Sequence, residues 1–253
     1  MRLGLVTYNI AKDWDLSTIL ERSPRLGYEG VELRTTHLHG VEDTLTPSER
    51  GEVRRRFADS PLELVGLGTI FEYHALDPAV VRENVEGTKR YAQLAADVGA
   101  GGIKVRPNGH QEEAGVPRER TLDQIGNALR ECGPAAADCG VEIRLEMHGT
   151  VADARDIRRI MDTADHPSVR VCWNSNPVDV KDGSVAHDFA LMQDLIGLVH
   201  IHDLTDEGYP WPELFSLLRG RGYEGFCLAE IQESSDSERV LTYFRSLFRA
   251  YGG

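Results

Sequence analysis

Cysteine is scarce in this chain. The four residues, Cys132, Cys139, Cys172 and Cys227, form neither a CxxC pair nor a zinc-finger spacing. Cys172 and Cys227 lie inside apolar runs and read as buried reduced thiols. Cys132 and Cys139 are seven apart on one helical pattern, which indicates packing and not a bridge. Long apolar runs are missing as well, so no membrane span is expected. The first residues, MRLGLVTYNIAKDWD, have too short an apolar run for a secretory signal and no small-residue cleavage site, which makes a cytoplasmic protein the expectation. Positive charge is in deficit. Lys plus Arg number 28 against 41 for Asp plus Glu, a net charge of −13 that repels phosphate backbones and argues against nucleic-acid binding. A local basic pocket for a small anion stays open. The sequence also lacks a linker, a low-complexity segment and a short repeat. No Gly-rich phosphate turn follows an early strand, and GAGG at 99–102 precedes a strand instead.

What is present is ordinary for a globular protein, with 41% hydrophobic and 27% charged residues over 253 positions. A core of this size needs no staples. Short apolar runs alternate with longer amphipathic ones throughout. Strands are expected at 2–10, 30–34, 62–69, 102–107, 141–149, 169–176, 198–204 and 226–233. Helices are expected at about 15–26, 47–58, 77–98, 119–138, 153–164, 187–196, 212–220 and 236–250. Asp15 or Ser17 marks one helix start, Asp77-Pro78 another, and Gly27 and Gly140 mark stops. Leu94, Ala95 and Val98 share one buried face, as do Ile157, Ile160 and Met161. Strict strand–helix alternation forces a parallel sheet with crossover helices. Eight such units with no composition break predict a single α/β domain over 1–253 that closes as a (β/α)8 barrel. An open doubly wound sheet is the competing architecture, and the missing phosphate turn counts against it.

A parallel barrel gathers its chemistry at the C-terminal ends of its strands. The stretch VEIRLEMHG at 141–149 ends in a carboxylate and an imidazole, which are costly to bury unpaired. Polar groups at the other strand ends are Glu32 and Arg34, His74, Lys104 and Arg106, Asn174 and Asn176, His200, His202 and Asp203, and Glu230. Taken singly, each glutamate reads as a solvated rim residue or an ion-pair partner. Their convergence with Glu146 and His148 is the argument for a site. Two glutamates, an imidazole and an amide oxygen can surround a divalent cation, and mixed oxygen and nitrogen ligands suit Mn²⁺, Mg²⁺, Co²⁺ or Zn²⁺. Lys104 and Arg106 share a face, and either bind an anionic substrate group or neutralise the acidic centre. His200 and His202 are read as pointing to opposite faces, with at most one looking into the barrel. Trp173 is either a sugar-stacking platform or a core residue.

The chain resembles the xylose isomerase-like barrel superfamily, of the sugar phosphate isomerase/epimerase type. The resemblance runs along essentially the whole chain, in GYEGVEL at 27–33, RLEMHG at 144–149, VCWNSNP at 171–177, LVHIHD at 198–203 and GYEGFCLAEI at 222–231. It implies a divalent metal held by Glu146, Asn174, His200 and Glu230, with Glu146 and Glu230 also moving protons. The pattern of His followed three residues later by Asp selects His200 over His202. It implies substrate contacts from Glu32 and His74. Asn174 stands where the family has aspartate, so the metal is expected to bind weakly or to be absent.

The reaction so implied is isomerisation or epimerisation of a carbohydrate or polyol, with proton transfer next to a carbonyl and charge stabilisation of an ene-diolate. Lys104 or His148 would position a hydroxyl or polarise the carbonyl. A dehydratase acting on an inosose-like ketone is one alternative, and a catalytically impaired sugar-binding relative is another. The related apurinic endonuclease chemistry needs further histidines, and 204–216 has none. Substrate identity and oligomeric state are written in no motif.

Overall fold

The computed structural model describes residues 1–252. Eight parallel strands alternate with eight helices: β1 (Arg2–Val6), α1 (Leu16–Arg25), β2 (Gly30–Arg34), α2 (Pro47–Ala58), β3 (Glu63–Gly68), α3 (Pro78–Val98), β4 (Gly102–Val105), α4 (Arg118–Cys139), β5 (Glu142–Glu146), α5 (Ala154–Ala164), β6 (Val169–Trp173), α6 (Ala186–Met192), β7 (Ile196–Ile201), α7 (Trp211–Gly220), β8 (Phe226–Ala229) and α8 (Ser237–Ala250). Each strand pairs with the next, and β8 returns to β1, so the sheet is a closed (β/α)8 barrel. Among the described residues, no helix is long and apolar enough to cross a membrane.

Local sequence sets the helix ends where expected. The Asp15 side chain accepts Thr18 N–H at the start of α1. Thr46 and Glu49 form a reciprocal capping box on α2, with Pro47 in its first turn. Asp77 and Pro78 open α3, and Gly140 closes α4 in the left-handed region at φ 68°. The expected faces are the buried ones, Leu94, Ala95 and Val98 on α3 and Ile157, Ile160 and Met161 on α5. Strands stop earlier than the apolar runs suggested. β1 ends at Val6 and not at residue 10, because Tyr8–Asn9 turn the chain and Asn9 takes a positive φ. The segment expected to be helical to 196 gives up its end to β7, which starts at Ile196.

Strand alternation sorts the core into two layers. Odd positions of β5 to β7, such as Ile143, Leu145, Val171, Val199 and Ile201, pack outward under the helices. Val6, Val65, Cys172, Leu198, Phe226 and Leu228 fill the barrel interior as a separate apolar cluster. The inward positions above this plug are the polar ones, so the plug forms the floor of the site. All four cysteines are free; Cys132, Cys172 and Cys227 are buried, and Cys139 is half-buried.

Candidate active site

Glu146 is the last residue of β5 and is 1% exposed. Its Oε2 accepts a hydrogen bond from Lys104 Nζ at 2.8 Å, and its Oε1 lies 3.2 Å from His200 Nδ1. His200, fully buried on β7, also brings Nδ1 to 3.3 Å from Glu230 Oε2. Glu146, His200 and Glu230 each offer one ligand atom, and the three lie within 4.8 Å of one another. Asn174 follows β6 on the same inward face. Its Oδ1 is buried with no hydrogen-bond partner, while its Nδ2 donates to Asn176 Oδ1 at 3.3 Å. Two carboxylate oxygens and a ring nitrogen within 4.8 Å of one another can surround a small divalent cation, and Asn174, after the neighbouring strand, holds a buried amide oxygen without a hydrogen-bond partner.

The charges are mutually arranged. Burial would push the Glu146 carboxyl up, but Lys104 and the His200 imidazole outweigh it and hold it down at about 2. Burial likewise opposes the charge on Lys104, and Glu146, Glu32 and Glu230 raise its pKa in spite of that. Glu230 falls well below the carboxylate range, its burial outweighed by His200 and His202. His200 rises well above the usual imidazole value although it is buried, because Cys172, Glu32 and Glu230 surround it. His148 goes the other way. Its burial dominates and lowers its pKa, so the ring is neutral at pH 7. Its Nδ1 pairs with Asn108 Oδ1 at 3.0 Å, which leaves Nε2 for a ligand. Gly149 beside it has φ 72°, and a Cβ there would lie 1.9 Å from the Asn108 carbonyl oxygen. Only glycine lets the loops after β4 and β5 close on each other.

A cleft of about 500 Å³ opens above the cluster, lined among others by Tyr8, His148, Asn174, His202, Glu230 and Gln232. Glu146, His200 and Glu230 are therefore brought together, and Asn174 and His148 line the cleft with Glu230. Several expectations need correction. The opposite-face placement of His200 and His202 does not hold. Residues two apart share a strand face, and His202 Nε2 lies 3.5 Å from the same Glu230 oxygen that His200 approaches. Glu32 touches no ligand space. It is fully buried beneath His200, with Oε1 3.4 Å from Nε2. Trp173 is no sugar platform. It points outward, is fully buried, donates Nε1–H to Tyr209 at 3.1 Å and meets the edge of Phe189.

Lys104 neutralises the centre, because its ammonium is spent on Glu146. Arg106 is engaged by Glu72, whose other oxygen lies 3.8 Å from His74 Nδ1. This group sits on the β3–β4 side, and neither Arg106 nor His74 is among the residues lining the cleft. Glu146 was expected to move protons as well as bind the metal, and Lys104 takes its second oxygen. Sequence reasoning missed Tyr8, Asn108 and Gln232. They lie on loops just past strand ends, where no periodic signal exists.

A second polar group, missed entirely, lies behind the Asn174–Asn176 loop. Asp179 is fully buried. Its Oδ2 accepts Asn176 N–H at 2.7 Å and lies 3.5 Å from the Tyr209 hydroxyl, while Oδ1 has no partner. Burial, reinforced by Asp188, pushes its carboxyl up to about 7. A raised carboxyl contributes stability that is fully present below the unfolded-state value near pH 4 and is lost as pH rises through 7. Asp179→Asn should remove this loss. The variant gains on the order of 2–4 kcal/mol relative to the parent between pH 5 and pH 8.5. Urea unfolding at the two pH values checks this, and an unchanged difference between the two proteins would refute it.

Comparison with known proteins identifies the fold family. The Xylose isomerase-like TIM barrel family model matches residues 20–247. No curated protein matches the sequence. Among solved structures, D-psicose 3-epimerase with D-tagatose from Clostridium cellulolyticum H10 superposes with a TM-score of 0.84 at 14% identity, over 99% of each chain. The 3-keto-D-glucoside 4-epimerase of E. coli gives 0.75 at 20% identity, over 97% of this chain and 99% of that one. The IolI protein with a bound zinc atom gives 0.80 at 17% identity, over 99% and 98%. At these identities the structures establish the shared fold, while the family model covers most of the sequence. The chain belongs to the xylose isomerase-like TIM barrel family.

Proposed function

We propose that this protein is a sugar or polyol isomerase/epimerase that moves a proton between positions next to a carbonyl, using a divalent cation held by Glu146, Asn174, His200 and Glu230. The observation that carries the reading is the ligand cluster itself, two carboxylates and an imidazole at the foot of a polar cleft that Asn174, with a buried and unpartnered Oδ1, also lines. A cation bound there would stabilise the enolate-type charge that proton removal creates. The similar structures support a carbohydrate substrate, since two are sugar epimerases and one holds zinc.

The chain's own residues divide the work unequally. Glu230 lines the cleft with its side chain 15% exposed, and no hydrogen bond or ion pair holds its Oε1. It is the carboxylate free to take a proton from a bound substrate and return it. Glu146 serves first as a ligand. Its second oxygen is held by the Lys104 ammonium, which offsets its charge. His148 Nε2 accepts a hydrogen bond from a substrate hydroxyl, with Asn108 fixing the ring.

The test is incubation of the Mn²⁺-loaded chain in D₂O with a panel of ketoses, sugar acids and inososes, read by NMR and mass spectrometry. Deuterium at the carbon beside the carbonyl in a product of equal heavy-atom composition is the expected result. A product lighter by one water would assign the dehydratase chemistry instead. Binding without exchange or product would leave a sugar-binding protein and end the enzyme reading.

A further inference from the structure

The family pattern would give this site an aspartate after β6, and Asn174 brings no charge there. Glu32 changes that picture. It lies on β2, where the β2–β3 register shifts between Val31 and Glu32. Such an irregularity re-aims a side chain next to a site. Its carboxylate is directed at the back of His200, with Oε1 3.4 Å from Nε2 and both side chains at or below 1% exposure. Among the described residues neither carboxylate oxygen makes a hydrogen bond, and neither does Nε2, so the 3.4 Å approach is an ion-pair contact between two otherwise unpartnered groups. The neighbouring strand is bare at this level. A Cβ on Gly68 would fall 2.8 Å from Glu32 Oε1, and one on Gly66 would fall 3.6 Å from Oε2. At Gly68 the barrel thus leaves out the side chain that would collide with the Glu32 carboxylate. An unpaired carboxylate in that position is costly, and an apolar side chain would fill the same space without that cost.

We infer that Glu32 is the positioning residue of the cation site: it takes the Nε2–H of His200, turns Nδ1 into the unprotonated nitrogen facing Glu146 and Glu230, and supplies the negative charge that Asn174 does not. The inference rests on the cation reading above. Metal-ligating histidines generally donate their second ring N–H to such an acceptor, which sets the tautomer and the ring plane. Glu32 also adds a buried carboxylate next to His200, and glutamine at 32 removes that charge.

The experiment is titration of the full chain with Mn²⁺, followed by the free-ion electron paramagnetic resonance signal, together with ¹⁵N-edited NMR of the Zn²⁺-loaded chain. The wild type should bind Mn²⁺ and show a slowly exchanging, downfield Nε2–H proton for His200. Glu32→Gln should weaken Mn²⁺ binding by roughly 10- to 100-fold and shift that proton upfield. Adding Asn174→Asp to Glu32→Gln should recover affinity while the proton stays shifted. Equal Mn²⁺ affinity in wild type and Glu32→Gln overturns the inference and leaves the proposed function standing. A loaded wild type with the proton on Nδ1 overturns it too, even if Glu32→Gln does not fold. Failure of the wild type to bind Mn²⁺ or Zn²⁺ overturns the cation reading and this inference with it.

Discussion

Glu146→Gln should cost the protein both its turnover and a large part of its stability. The variant loses a ligand charge, so activity should fall by about 10³-fold or more. It also strands Lys104, which is 4% exposed and whose ammonium has Glu146 as its ion-pair partner. Breaking a buried pair from one side costs about 3–5 kcal/mol, because the remaining charge is buried without compensation. For a domain of this size that is roughly 10 °C of melting temperature. From sequence alone the same substitution would be expected to leave the fold intact. The ion pair is the reason it does not. Lys104→Met/Glu146→Gln should recover most of the stability and none of the activity. The pH dependence gives a further check. Glu146 is depressed to about 2, so its contribution is present above the ordinary carboxylate value and is lost as pH falls through 2. The gap in stability between the metal-free wild type and Glu146→Gln should therefore narrow between pH 5 and pH 2. Melting curves that coincide at pH 7 would rule out the buried-pair account.

Glu230→Gln should separate chemistry from folding. The residue sits at the cleft edge, where His202 and solvent remain available to its neighbours. We expect turnover to drop by about 10²- to 10⁴-fold, the range of a lost proton-transfer group, with a melting point within a few degrees of wild type. Exchange of the substrate's carbon-bound proton with D₂O should vanish in parallel with turnover. Exchange at the wild-type rate in this variant would remove Glu230 from the proton-transfer role and shift attention to the Glu146–Lys104 pair.

The two glutamates looked alike in the sequence. Both end an apolar run, and both sit at the C-terminal edge of the barrel. Their difference comes from neighbours far along the chain. Lys104, 42 positions earlier, caps Glu146. Glu230 meets one histidine on β7 and one just past its end, and keeps one oxygen for the cleft. Lys104 itself was ambiguous between anion binding and neutralisation, and that question is one of distance, which no spacing rule contains. The same holds for Glu32, which the family pattern suggested as a substrate contact and which the register shift on β2 turns toward His200.

By itself the sequence determined the eight-fold alternation, the closed barrel, the helix caps and the strand ends on which chemistry could sit. These follow from periodicity and local hydrogen bonding, which act over a few residues. It also determined that Glu146, Asn174, His200 and Glu230 share one end of the barrel, because parallel strands place their C-termini together. Only the tertiary structure decided which polar groups face the cleft, which lie beneath it and which neutralise one another. Burial and pairing energies depend on contacts between strands dozens of residues apart, and those contacts made Glu32 a support, Lys104 a counter-charge and Trp173 part of the outer core.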